Sequence, residues 1–132
     1  MPPFVVLDTV MQGFVRALYW TIALIGIGGG TAAVFAPSLV VPEAQPATLA
    51  SHLVREQGAG FVFIGLVAAW CAHHEPARRP AHYAFLIFTG LFAVIHWMGY
   101  LSSGHYVAAA IVNTIPFVAF AATLPGVTAD RR

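Results

Sequence analysis

The stretch Ser51–Cys71, SHLVREQGAGFVFIGLVAAWC, decides the fold. It is apolar and long enough to cross the hydrocarbon core of a bilayer, which takes about 20 residues of helix. Its first turns nevertheless carry His52, Arg55 and Glu56, and charge at the mouth of a hydrophobic helix is costly unless it has partners. The stretch therefore predicts a transmembrane helix with other helices arranged around it.

The composition also indicates a membrane protein. Only 8% of the 132 residues are charged and 59% are hydrophobic, with a mean hydropathy of +0.79. About 25% of the residues in a soluble domain are charged. Because the formal charge is +1 and no basic run is present, we expect no nucleic-acid partner. The expected partners are the lipid bilayer and either other membrane subunits or further copies of the chain.

The hydrophobic segments predict an all-α integral membrane protein with four transmembrane helices in a single domain. The helices are expected at about residues 10–35, 50–72, 82–101 and 105–124. Short connections after the second and third helices favour antiparallel neighbours and hence an up-down bundle.

Turn and cap residues set the expected boundaries. Asp8 or Thr9 would cap the first helix, and Pro125 with Gly126 would end the last one. Residues 36–50 contain three prolines and read as a loop. Residues 73–81 read as a solvated, Pro-flanked turn, although Cys71, His73, His74 and His82 around it also resemble a list of metal ligands.

The distribution of arginine predicts the orientation of the bundle. Arg78 and Arg79 lie in the 73–81 turn and Arg131 and Arg132 at the C-terminus, whereas residues 36–50 and 102–104 contain no basic residue. By the positive-inside rule, both termini and the 73–81 turn should face the cytoplasm.

Small residues predict where helices approach one another. Gly26 and Gly30 are four residues apart on one stripe of the first helix, and Gly58 lies near the start of the second. Such small-xxx-small spacing allows two helix backbones to come close in a membrane. We expect these three glycines to be helix-packing positions.

Polar residues gather at the predicted outer end of the bundle and form the candidate ligand site. His52 and Glu56 share a helix face at i and i+4, and Glu56 is expected to meet a group from another helix. The full set of candidate ligand residues is His52, Arg55, Glu56, His96, Tyr100, His105 and Asn113.

Two of these residues have competing interpretations. His96 lies roughly 7 Å below the end of its helix at 1.5 Å per residue, so it is either a structural histidine hydrogen-bonded to a neighbouring helix or a ligand. Asn113 shares a face with His105, and it either repairs the helix at Pro116, bonds across helices or lines a cavity.

The sequence leaves the ligand open. Arg and His beside a quinone carbonyl make chemical sense, and a lone intramembrane His is also a haem or pigment ligand. A metal remains an open alternative because the His52–Glu56 spacing suits two ligands, although repeated Glu-x-x-His pairs are absent. The interfacial aromatic belt is the stronger interpretation of Trp97 and Tyr100.

One family resembles this layout. The chain has four helices, an Arg55-Glu56-Gln57-Gly58-Ala59-Gly60 segment at the head of the second, a Gly65-Leu66 pair deeper in it, and a basic Pro-flanked turn after it. In these features it resembles the DoxX-like group of small bacterial membrane proteins. The resemblance implies a four-helix bundle in the bacterial inner membrane and an association with quinone or thiol redox chemistry. Of the family's motif positions, the resemblance assigns Arg55 and Gly58 in this chain.

Two functions follow as expectations. The first is a non-catalytic accessory, stabilising or assembly subunit of a larger membrane complex, favoured by the glycine-rich faces and the small extramembrane portions. The second is a DoxX-like redox-linked protein with a quinone, haem or metal site at the outer end. No nucleotide-binding loop, nucleophile elbow or zinc-protease motif occurs, so the first is the leading expectation.

Overall fold

The computed structural model describes residues 3–128, with side chains from Thr9 onward. This part of the chain is helical and contains no strand, which confirms the all-α class. The helices are α1 (Pro3–Phe35), α2 (Pro37–Val40), α3 (Leu49–His73), α4 (Glu75–Ser103) and α5 (Val107–Thr128).

Four of the described helices are long and apolar enough to cross a membrane. They are α1 from Thr9 onward, α3, α4 and α5, each of which contains an apolar 18-residue window, with mean hydropathies over that window of 1.6, 1.2, 1.8 and 2.0. The remaining helix, α2, has four residues and is far too short to span a bilayer. By length and composition, the chain is therefore a multi-pass membrane protein.

The expected start of the first helix is wrong. We placed it at about Val10 with Asp8 or Thr9 as the cap, but α1 begins at Pro3. The reason is that a proline at the first helical position loses nothing, since the amide hydrogens of the first turn have no acceptor within the helix. The loop predicted over residues 36–50 also contains the short helix α2.

The predicted turn over residues 73–81 is wrong as well. The helical break is confined to His74, whose backbone is extended, and α4 begins at Glu75 instead of about His82. Pro76 lies in the first turn of α4, where it removes no hydrogen bond. Pro80 lies inside the helix. Arg78 is therefore a buried helical residue and not part of a solvated turn.

The last helix differs from its prediction at both ends. It starts at Val107 instead of about His105, and it continues past Pro125 and Gly126 to Thr128. Threonine hydroxyls bond the carbonyls around this proline, from Thr123 to Ala119 at 2.7 Å and from Thr128 to Leu124 at 3.0 Å. The C-terminal arginines of the orientation argument, Arg131 and Arg132, lie outside the described residues.

The chain forms two compact units, which are described separately. One consists of Met1–Leu18 with Glu75–Arg132, and the other of Tyr19–His74. In the Tyr19–His74 unit, a clear cap starts α3, because the Thr48 hydroxyl accepts the Ser51 amide hydrogen at 3.1 Å.

Glycines join α1 to α3 within the Tyr19–His74 unit. A Cβ at Gly26 would lie 2.8 Å from the Phe61 carbonyl oxygen and 2.9 Å from Gly65 Cα, and a Cβ at Gly30 would lie 2.6 Å from the Gly58 carbonyl oxygen. Because positions later in α1 contact positions earlier in α3, the two segments run antiparallel. We call Gly26, Gly30, Gly58 and Gly65 the glycine seam. Gly65 was not among the predicted packing positions.

In the other unit, α4 and α5 form an antiparallel pair. The Phe85 and Phe120 rings stack with their centroids 5.4 Å apart. A Cβ at Gly90 would lie 3.2 Å from the Phe117 ring. Near the turn, the Trp97 indole donates a hydrogen bond to the Thr114 hydroxyl at 2.9 Å. Aromatic packing at one end and a polar bond at the other thus fix the register of this hairpin.

Candidate functional site

The first turns of α3 present an exposed contact between a histidine and a carboxylate. His52 Nε2 lies 3.1 Å from Glu56 Oε1, one helical turn away, and both side chains are more than 60% exposed. Arg55 is also exposed. Glu56 therefore has a partner on its own helix, contrary to the expectation of a partner from another helix. An exposed pair of this kind contributes little to stability.

His96 bonds to its own helix. Its Nδ1 donates to the Phe92 carbonyl oxygen at 2.8 Å, and its half-buried ring lies 5.6 Å from the Phe92 ring. The bond lies within α4 and not between neighbouring helices as expected, and a ligand role for His96 stays a prediction. Its Nε2 is the ring nitrogen on the side away from this bond.

The other three candidates lie in α4, in the connection between α4 and α5, and in α5. Tyr100 is half-buried and meets the Trp97 ring edge-on at 5.8 Å. Asn113 Nδ2 donates to the Ala109 carbonyl oxygen at 2.8 Å, one turn back along α5. His105 is exposed in the connection before α5. The neighbour of Asn113, Thr114, is the side chain that bonds across the two helices.

The seven candidates thus fall into two sets. His52, Arg55 and Glu56 belong to the Tyr19–His74 unit, and the other four, His96, Tyr100, His105 and Asn113, belong to the unit that contains α4 and α5. A ligand site that joins the two sets stays a prediction. Among the residues whose side chains are described, no group of three or more His, Cys, Asp or Glu could hold a metal ion.

The structure reveals a buried polar cluster that the sequence analysis missed, and it lies where α4 begins and α5 ends. Arg78 is buried, and its Nη1 donates to Gln12 Oε1 at 3.3 Å. The Gln12 side-chain amide donates in turn to the Gly126 carbonyl oxygen at 2.6 Å. One glutamine therefore links α1 to both α4 and α5.

His82 is the most deeply placed member of this cluster. It is fully buried, and its Nε2 donates to the Phe120 carbonyl oxygen at 2.8 Å. Pro125 has no amide hydrogen to donate to the carbonyl at i−4, which is that of Ala121. His82 thus bonds the backbone of α5 from α4, and the Phe120 ring meets its ring edge-on with the centroids 4.9 Å apart.

A sequence signal for this cluster did exist. The buried positions of α4 are Arg78, His82, Phe85, Thr89 and Ala93, which follow helical spacing. The stripe becomes visible only if the helix is extended back through Pro80. The predicted turn over residues 73–81 excluded Arg78, the polar end of this stripe, from the helix.

Two grooves lie on the surface of the described residues. One groove, of about 210 Å³, lies between α1, α3 and the end of α2. Its lining is mostly apolar, with residues such as Ile25, Val41 and Phe61, and Gln57 provides its single side-chain amide. The other, of about 440 Å³, lies between Trp97 and a face of α5 that includes Ile115 and Val118. Both are apolar enough to hold hydrocarbon.

No protein-family model, curated protein or solved structure matches the chain. The resemblance to the DoxX-like group therefore remains a prediction.

Proposed function

We propose that the chain is an accessory subunit that packs against and stabilises a larger complex in the bacterial inner membrane. In this proposal the four spans form an up-down bundle with both termini in the cytoplasm. The exposed Arg79 at the start of α4 supports that orientation, whereas Arg78 is buried and no longer counts as a loop charge.

The observation that carries the proposal is a set of glycines facing away from the chain's own packing. Gly28 lies on the side of α1 opposite Gly26 and Gly30, since two residues correspond to about 200° of helix. Gly60 lies on the corresponding side of α3. Both are exposed, and a Cβ added at either one meets no neighbouring atom within 4 Å.

Outward glycines have a cost that a partner helix would offset. Glycine in a helix interior is about 1 kcal/mol less favourable than alanine. In the glycine seam, close backbone contact compensates for this cost. At Gly28 and Gly60, the equivalent contact would come from a helix of another subunit, because small residues are what permit close approach in a membrane.

The polar side chains inside the described residues already serve to hold helices together. His82 bonds a carbonyl of α5, Trp97 bonds a hydroxyl of α5, and Gln12 bridges to Gly126. These contacts suit a rigid packing unit with an apolar exterior.

The experiment compares leucine variants at the two outward glycines. Tagged wild type, Gly28→Leu and Gly60→Leu would be extracted gently from native membranes, and co-purifying proteins quantified by mass spectrometry. We expect partner recovery to fall several-fold with the level of the chain unchanged. Ala84→Leu, at an exposed position of α4, is the matched control and should recover partners normally. Normal recovery by both glycine variants would contradict the proposal.

A second candidate function is favoured by the groove beside Gln57. Its apolar walls and single amide would suit a quinone with its ring near the amide, as the DoxX-like resemblance implies, and Arg55 lies two residues away. Purified chain that carries a quinone, detected by extraction and absorption, would support this redox-linked role. The groove would then lose the quinone in Gln57→Leu.

A further inference from the structure

Two non-glycine residues have a left-handed backbone conformation among the described residues, Ala47 with φ 63° and Tyr106 with φ 68°. This conformation raises the free energy of an L-residue that has a Cβ, whereas glycine adopts it freely. Gly104, two residues before Tyr106, has φ 70° and bears no such cost. Position 106 thus favours glycine on backbone grounds, yet it carries a bulky aromatic.

Nothing in the described chain repays the cost at Tyr106. Its side chain is 79% exposed, and its hydroxyl makes no hydrogen bond to another described residue. Its ring meets only the His105 ring, edge-on at a centroid distance of 6.2 Å. Its carbonyl accepts the Ala110 amide hydrogen at 3.2 Å to start α5, but glycine would do the same. No contact among the described residues thus accounts for a bulky aromatic at this position.

The position of Tyr106 identifies the partner. The residue lies between two candidate membrane spans, three residues after α4 ends at Ser103 and directly before α5 begins at Val107. Where two apolar helices end and a polar turn joins them, the chain passes from hydrocarbon to lipid headgroups. Tyrosine suits that boundary because its ring is apolar and its hydroxyl is wetted by headgroups or water.

We propose that Tyr106 inserts its ring at the headgroup boundary of the bilayer and anchors the α4–α5 turn at that depth. Trp97 and Tyr100 are the other aromatics near this end of α4, but the Trp97 indole is already bonded to Thr114. Tyr106 is thus the exposed aromatic residue of the turn, and its ring is available to contact lipid. The inference needs the helices to span a membrane and does not depend on the subunit role.

The depth of residue 106 can be measured with brominated lipids. The full chain with Trp20, Trp70 and Trp97 changed to Phe and Tyr106→Trp would be reconstituted in phosphatidylcholine vesicles brominated near the headgroup or in mid-chain. Circular dichroism confirms that the helices are retained. We expect shallow bromines to quench the fluorescence at least twofold more than mid-chain bromines or aqueous iodide. Dominant iodide quenching, or no quenching because protein covers the site, would overturn the proposal.

Glycine substitutions test the same idea without a reporter. Ala47→Gly relieves a left-handed residue that has only a methyl side chain, so it should raise the folded-to-unfolded ratio about tenfold. Tyr106→Gly relieves the same conformation but removes the anchor. We therefore expect a clearly smaller gain for Tyr106→Gly in vesicles. Equal gains for the two variants would show that the ring contributes nothing at the interface and would refute the anchor.

Discussion

Replacing Gly26 by alanine should separate α1 from α3. The new Cβ would lie 2.8 Å from the Phe61 carbonyl oxygen and 2.9 Å from Gly65 Cα, and both are backbone atoms that cannot rotate away. Ordinary contact begins near 3.4 Å, so the helices would have to move apart by about 0.6 Å. Overpacking of this kind costs about 1–3 kcal/mol.

Gly28→Ala is the matched control for this prediction. It makes the same chemical change on the opposite side of α1, where a Cβ meets no neighbouring atom within 4 Å. Because alanine is the better helix former, this variant should be neutral or more stable by up to about 1 kcal/mol. The free energies of unfolding of the two variants should therefore differ by about 1–4 kcal/mol, with Gly28→Ala the more stable.

The assay is reversible unfolding of the purified chain in mixed detergent micelles with increasing SDS, followed by circular dichroism. We expect the midpoint of Gly26→Ala to fall and that of Gly28→Ala to stay or rise. Equal stabilities for the two variants would refute the close approach at the glycine seam, and with it the packing account of the Tyr19–His74 unit.

The polar cluster gives two further predictions in the same unfolding assay. His82→Ala removes the donor to the Phe120 carbonyl oxygen and leaves a cavity, so it should lower the free energy of unfolding by about 2 kcal/mol; an unchanged midpoint would contradict the role of His82. Arg78→Gln should cost about 1–3 kcal/mol because it removes the charged partner of the half-buried Gln12. The neighbouring exposed Arg79→Gln should stay within about 0.5 kcal/mol of wild type, and equal losses for the two arginine variants would show that burial of Arg78 is unimportant.

The helices and part of the packing could be predicted because they depend on local patterns. Apolar segments of sufficient length identify the spans, and the four-residue spacing of Gly26 and Gly30 indicates a close helix contact. The partners of these glycines in α3, Gly58 and Gly65, require a register between two segments that are far apart in the sequence. No local rule supplies that register.

Proline misled the boundary predictions for a physical reason. Pro3 and Pro76 lie in first turns, where their missing amide hydrogens cost nothing, whereas Pro125 lies inside α5, which continues past it to Thr128. Because of these boundary errors, the sequence analysis missed the buried polar cluster. Even with correct boundaries, the bond from Gln12 to Gly126 joins residues 114 positions apart and could not have been inferred.

The proposed site at the outer end shows the same limit. The His52–Glu56 contact could be anticipated from its i, i+4 spacing, because one helix fixes it. The bond from His96 to the Phe92 carbonyl oxygen depends on the rotamer of the His96 side chain, which the sequence does not specify.

The most direct test of the subunit proposal is to extract the wild-type chain gently from its native membrane and measure the size and composition of the particle that contains it. Size-exclusion chromatography with absorption and quantitative mass spectrometry gives both. We predict a large assembly that holds the chain in a fixed ratio to other membrane proteins. A small, homogeneous species made of this chain alone would contradict the proposal, and a quinone or pigment carried by that species would favour the redox-linked function instead.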